Sequence, residues 1–171
     1  MDWDRLELVL FNLDKYLFIG YFILLIAAIR FEKKVSSVLI TFTVVAVTNG
    51  VMTSLVPLLY KIAANDGIVY KFAWYGSFCL IDALAIYLLF KFHNMLKQSV
   101  SAVAELAGFA FVLLATLQSI FFVEQYLFLS SYTRALYQYG IPLINIALMP
   151  AMIFFWVMQN VTFRQKRYGV S

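Results

Sequence analysis

The sequence predicts an all-α membrane protein, a bundle of about five transmembrane helices with short loops. Three observations predict it. Long apolar runs fill almost all of the 171 residues; 64% of the residues are hydrophobic and only 13% charged; and the charges collect at the ends of the runs. A soluble domain of this length needs a polar shell that this composition does not provide. A hydrocarbon core roughly 30 Å thick, crossed by helices of about 20 apolar residues, is the solvent that fits.

The elements follow in chain order as one integral-membrane domain over 1–171. In the first segment Trp3, Leu6, Leu10 and Leu13 recur at helical spacing, the pattern of an interfacial amphipathic helix over 1–15. A short first span covers 16–29 and can borrow Leu8 to Leu13 if Asp14 and Lys15 snorkel. A four-span chain with an interfacial N-terminal helix is the competing count. The acidic start is unlike the basic opening of a cleavable signal peptide.

The second span, 35–60, has a polar middle of Thr48, Asn49, Gly50, Thr53 and Ser54. Pro57 removes one backbone donor and frees the carbonyl of Thr53, so a broken or kinked helix is expected. The third span, 72–90, carries Asp82 at its centre. The segment KFHNMLKQS after it reads as a basic loop or short helix with a solvated His93. The fourth span is 102–123, with Glu105 near its start. Ser101, Gly108, Ala115 and Ser119 share the Glu105 face, and a small face reads as a packing surface. A tyrosine-rich outer connection fills 124–136. The fifth span is 137–157, with Pro142 early and Pro150 inside, and a basic tail occupies 158–171.

Positive charge orients the set. With the N-terminus outside and the C-terminus inside, the cytoplasmic side holds eight basic residues: Arg30, Lys33, Lys34, Lys91, Lys97, Arg164, Lys166 and Arg167. The outside then holds five: Arg5, Lys15, Lys61, Lys71 and Arg134. Tyr126, Tyr132, Tyr137 and Tyr139 fall on the outer side. An aromatic belt explains them, and so does an outward-facing site for a partner or amphipathic ligand.

Asp82 is the residue to ask about. A carboxylate at the centre of a span costs about 2.5–3.5 kcal/mol even on lenient insertion scales, so it must be neutral, paired or facing water. No Lys, Arg or His is expected at matching depth, and desolvation favours the protonated form. Asn49 and Asn145 are the polar groups expected nearest its depth. A neutral Asp82 bonded to either would be a polar knot that holds the bundle. An ionisable Asp82 would instead be a proton or cation site, with Asn49 and Thr53 as an ion-binding turn and Glu105 as a vestibule carboxylate.

Several classes are excluded by what is missing. Cys79 is the lone cysteine, and His93 the lone histidine. An intramolecular disulfide and a bis-His haem are therefore ruled out. There is no Gly-rich phosphate loop, no His-Glu-x-x-His and no Cys-x-x-Cys. No enzyme, metal or cofactor is expected. The net charge of +4 is spread over helix ends rather than a basic stripe, so nucleic acid is not an expected partner. The expected partners are the lipid bilayer and either further copies of the chain or a larger membrane protein.

The leading functional expectation is an oligomeric subunit, in a bacterial inner (cytoplasmic) membrane, that forms or gates an ion or small-solute path through Asp82. The rival is a membrane binding protein without transport, an immunity or defence protein or an anchor subunit. It would recognise its partner through its helices and the outer tyrosines.

Overall fold

The structure is a computed structural model that describes residues 3–32, 34–130 and 132–168, with side chains described over 15–32, 34–130 and 132–161. The described residues form five helices: α1 (Trp3–Glu32), α2 (Ser37–Ala63), α3 (Ile68–Met95), α4 (Ala102–Tyr126) and α5 (Arg134–Tyr168). Four are long and apolar enough to cross a membrane: Ser37–Ala63, Ile68–Met95, Ala102–Tyr126 and Arg134–Val161.

Local chemistry sets the helix ends. Ser36 caps α2 by accepting from the Leu39 backbone N at 3.2 Å, and Ser101 caps α4 by accepting from the Ala104 N at 3.4 Å. Gly67 has φ 126°, a conformation open to glycine, and so turns the chain from α2 into α3. Lys71 reaches back to donate through Nζ to the Ala63 carbonyl at the C-terminal end of α2.

Neighbouring helices alternate in direction. Ser37 meets His93 at one end of the α2–α3 pair, and Tyr60 meets Trp74 at the other. Phe72–Phe122 and Cys79–Ser119 set the same antiparallel relation between α3 and α4. Phe121 stacks on Tyr137 across α4 and α5. By contrast α1 and α5 are parallel. Tyr21 Oη donates to the Asn145 carbonyl at 3.4 Å, Trp156 Nε1 donates to Glu32 at 2.8 Å, and both pairs are separated by 124 residues. The helices therefore close a ring in chain order, with α2 and α4 also touching across its middle.

Close approach comes from small residues. A Cβ on Gly50 would stand 2.9 Å from the Phe18 ring, and one on Gly20 would collide with the end of Met149. These glycines let α1 sit tightly on α2 and α5. The core they close runs through Tyr21, Phe42, Val45, Val103, Phe111 and Met152, all essentially without exposure.

Several boundaries differ from the sequence reading. The 1–15 stretch and the first span are not separate, because α1 is one helix from Trp3 to Glu32; residues 1 and 2 lie outside the described set. Pro57 does not break α2, which is helical throughout Ser37–Ala63. The 124–136 connection shrinks because α4 continues to Tyr126 and α5 starts at Arg134, and α5 extends through much of the expected tail, to Tyr168.

Candidate functional site

Two levels of the bundle hold buried polar side chains, and they are built differently. The first is centred on Asp82. On α3 the buried stripe is Phe78, Asp82, Ala85, Leu89 and His93, a helical spacing that turns all five inward. Asp82 has no exposure at all. Neither of its carboxyl oxygens has a hydrogen-bond partner among the described residues.

Contacts between helices fix what stands at its height. Counting from Trp74–Tyr60 at one end and His93–Ser37 at the other places Asp82 opposite Thr48 to Met52 of α2. Asn49 is therefore at the expected depth. It does not bond Asp82: it is half-buried, and its Nδ2 donates back to the Val45 carbonyl at 3.0 Å. An asparagine side chain readily finds such a partner on its own helix. Asn145 does not bond Asp82 either. It lies on α5, which packs on α4 and α1, and its backbone carbonyl accepts from Tyr21. The polar knot expected from the sequence is thus not formed.

Thr53 is half-buried on α2. Glu105 is exposed in the first turn of α4, where a carboxylate suits the helix N-terminus. Its face is mixed: Ser101 is buried against Ser37 and Ser119 touches Cys79 of α3, whereas Glu105 itself is exposed. Gly108 has open space where a Cβ would be, and Ser119 is exposed.

Gln118 is not among the site residues expected from the sequence. It is 5% exposed, on the inward stripe with Leu114 and Phe121, and its Oε1 has no partner among the described residues. Lys15 also departs from expectation. Phe18 lies against Gly50, which is within the α2 stretch facing Asp82. Lys15 is three residues before Phe18, so it stands about 4.5 Å from the Asp82 level at 1.5 Å per residue. It is exposed on α1, whose packing is on α2 and α5, and it does not pair with Asp82, whose oxygens have no partner among the described residues.

The second polar level joins three helix ends. Ser37 Oγ lies 2.7 Å from His93 Nε2 and 2.8 Å from Ser101 Oγ, and accepts from the Ser101 backbone N at 2.9 Å. His93 Nδ1 lies 2.7 Å from the Leu89 carbonyl. A carbonyl only accepts, so Nδ1 donates to Leu89, while the single hydroxyl proton of Ser37 goes to Ser101 Oγ. His93 is 3% exposed. The sequence reading of a solvated loop histidine is corrected here: α3 continues past Lys91, and the Asp82 stripe carries His93 inward. The signal was present in that spacing and in serines at the starts of α2 and α4. Ser37 bonding through a backbone amide and a second hydroxyl makes this a fastening rather than an activated nucleophile.

The other end of the bundle is aromatic. Tyr75 packs 5.6 Å from Phe121 and 5.6 Å from Tyr137, and Phe121 stacks on Tyr137 at 4.2 Å. Tyr126 joins them at 5.9 Å from Tyr75. The expected outer face therefore splits. Tyr126 and Tyr137 face the cluster, whereas Tyr132 and Tyr139 are exposed. Glu124 organises the connection by accepting from Ser130 Oγ at 2.6 Å, from the Thr133 N at 2.8 Å, and from Thr133 Oγ1 and the Tyr132 N. Beside it lies an open groove of about 560 Å³, lined by Ile120, Val123, Phe128 and Tyr132 among others.

The fold and composition define an all-helical chain with several helices apolar enough for an integral membrane protein. No protein-family model matches the chain, no curated protein matches its sequence, and no solved structure matches its fold.

Proposed function

We propose that the chain is a membrane-embedded subunit that forms or gates a path for an ion or small solute, with Asp82 as the working group. The proposal includes five spans, an outer N-terminus and inner C-terminus, and residence in a bacterial inner membrane. The observation that carries it is the state of Asp82: wholly buried, central in α3, and with both oxygens unpartnered among the described residues. A polar group kept to hold a bundle is expected to be bonded, since leaving one unmade costs about 1–3 kcal/mol. An ionisable group kept at that cost fits a role in moving charge.

Lys15 supports a subunit rather than a lone bundle. An exposed ammonium near mid-depth faces lipid unless something covers it, at about 2.5–3.5 kcal/mol on the insertion scale. A second copy or a larger partner against α1 would supply acceptors. Lys15→Leu is expected to weaken assembly, read as a shift to smaller species by mass photometry in detergent or nanodiscs. An unchanged size would remove this support.

The direct test is flux of protons and cations into liposomes holding the purified protein, with Asp82→Asn in parallel. Flux that disappears in a folded Asp82→Asn protein is the expected result. Absence of flux from a folded wild-type protein would sink the path reading for the chain alone.

The rival reading, a binding protein without transport, has its own support in the groove beside Glu124. Tyr132, at its rim, is 93% exposed. That reading expects Asp82→Asn to be silent and Tyr132→Ala to lose the partner.

A further inference from the structure

We infer that Asp82 and Gln118 together form a buried proton-binding site, in which the protonated Asp82 carboxyl donates to Gln118 Oε1. The inference rests on the path reading and deepens it by naming the ion and a second residue.

Geometry puts the two side chains together. Cys79 Sγ and Ser119 Oγ are 3.3 Å apart and mark a common height on antiparallel α3 and α4. Asp82 is three residues along α3 from that mark, and Gln118 one residue along α4 in the same direction. At 1.5 Å per residue their heights differ by about 3 Å. Both occupy the inward stripes of helices packed on each other.

With Gln118 Oε1 turned to this level, the pair is complementary when Asp82 is protonated. Asp82 Oδ1, Asp82 Oδ2 and Gln118 Oε1 are three buried oxygens with no partner among the described residues. An ionised carboxylate and an amide oxygen only accept, so they have nothing to exchange. One proton on Asp82 supplies the missing donor, and the same bond satisfies Gln118 Oε1. A divalent cation would demand about six oxygen ligands or more, and among the described residues Asp82 and Gln118 bring three orphaned oxygens to this level; the fourth, Gln159 Oε1, lies far along α5.

No other charge competes for the site. The helices packed along α3 are α2 and α4, and α5 touches it through Tyr137 against Tyr75. Residues 37–60 of α2 and 106–123 of α4 contain no Asp, Glu, Lys, Arg or His. The titratable groups with contacts between these helices are Cys79, beside Ser119; Tyr75, in the aromatic cluster with Tyr126 and Tyr137; Tyr60, against Trp74; and His93, held at the far end by Ser37 and Leu89. Tyr87 is exposed, and Lys61, Lys71, Lys91, Glu105 and Glu124 lie toward the helix ends. Gln118 acts here as a positioning residue for the Asp82 proton.

Infrared spectroscopy of the protein in liposomes tests this, with aspartate carrying ¹³C in its side-chain carboxyl. The expected result is a protonated-acid carbonyl band at neutral pH that shifts with the label. Gln118→Leu should move it to the position of an acid without a hydrogen bond, and Asp82→Asn should remove it. No such band would overturn the proton site. A band abolished by sodium at constant pH would replace the proton with a cation. A band unmoved in Gln118→Leu would overturn the pairing; neither that variant nor the label depends on Asp82→Asn folding. The expected band in a protein without flux would keep the proton site and sink the path. Flux without the band would do the reverse.

Discussion

The Asp82 level and the Ser37–His93–Ser101 level are both buried, both polar and both on the inward face of α3, yet only one is satisfied. At the helix-end level each hydroxyl and ring nitrogen has a partner within 2.9 Å. At mid-depth three oxygens have none among the described residues. Satisfied polar groups fasten a fold, and orphaned ones cost it stability. The contrast within one helix separates what holds this bundle from what the bundle holds.

Substitutions sharpen that contrast. The largest effect is expected from Asp82→Asn, which should abolish flux while leaving stability nearly unchanged. The amide is nearly isosteric and keeps a donor toward Gln118 Oε1 in place of the carboxyl proton, so little stability is expected to change. Thermal melting in detergent beside the flux assay reads both effects. Ser37→Ala should do the opposite, lowering stability by about 1–3 kcal/mol because His93 Nε2 and the Ser101 N–H lose their partner. Flux per folded molecule should survive it. Equal loss of flux in both variants would erase the distinction between the two levels.

Smaller effects are expected further out. Glu124→Ala removes the acceptor at the start of α5 and should loosen that end of the helix, as a lost helix cap does. Hydrogen exchange should show faster amides at Tyr132 and Thr133 and unchanged ones around Asp82. The smallest contrast is between glycines. Gly50→Ala must push the Phe18 ring, whereas Gly108→Ala meets open space. The first should destabilise, and the second should be neutral or gain up to about 1 kcal/mol from helix propensity. A loss of assembly in Gly108→Ala would identify the outward face of α4 as a contact between subunits.

Much of the fold was legible because membrane helices announce themselves by composition. The four helices long and apolar enough to cross a membrane, and the central place of Asp82 in α3, follow from the apolar runs alone. Their ends were less legible: α1 absorbs the expected interfacial helix, and α5 runs through the basic tail, because polar residues at a helix end do not stop it. Pro57 was over-read, since a proline can sit inside a membrane helix when the freed carbonyl is tolerated. At the site, Asn49 was placed at the correct depth but not in the correct bond, for its choice of Val45 is a rotamer that spacing does not encode. His93 was misread because its burial depends on Ser37, which is 56 residues away along the chain and also bonds Ser101. Tyr126 and Tyr132, only six positions apart, face different ways because Glu124 folds the connection back.

The most direct measurement is proton flux and melting temperature on the same preparations of wild type and Asp82→Asn. Wild-type flux, absent in a variant that melts no lower, would mean that Asp82 is kept for its proton and not for the fold. A variant that melts several degrees lower and conducts as well as wild type would contradict this and return Asp82 to a structural role.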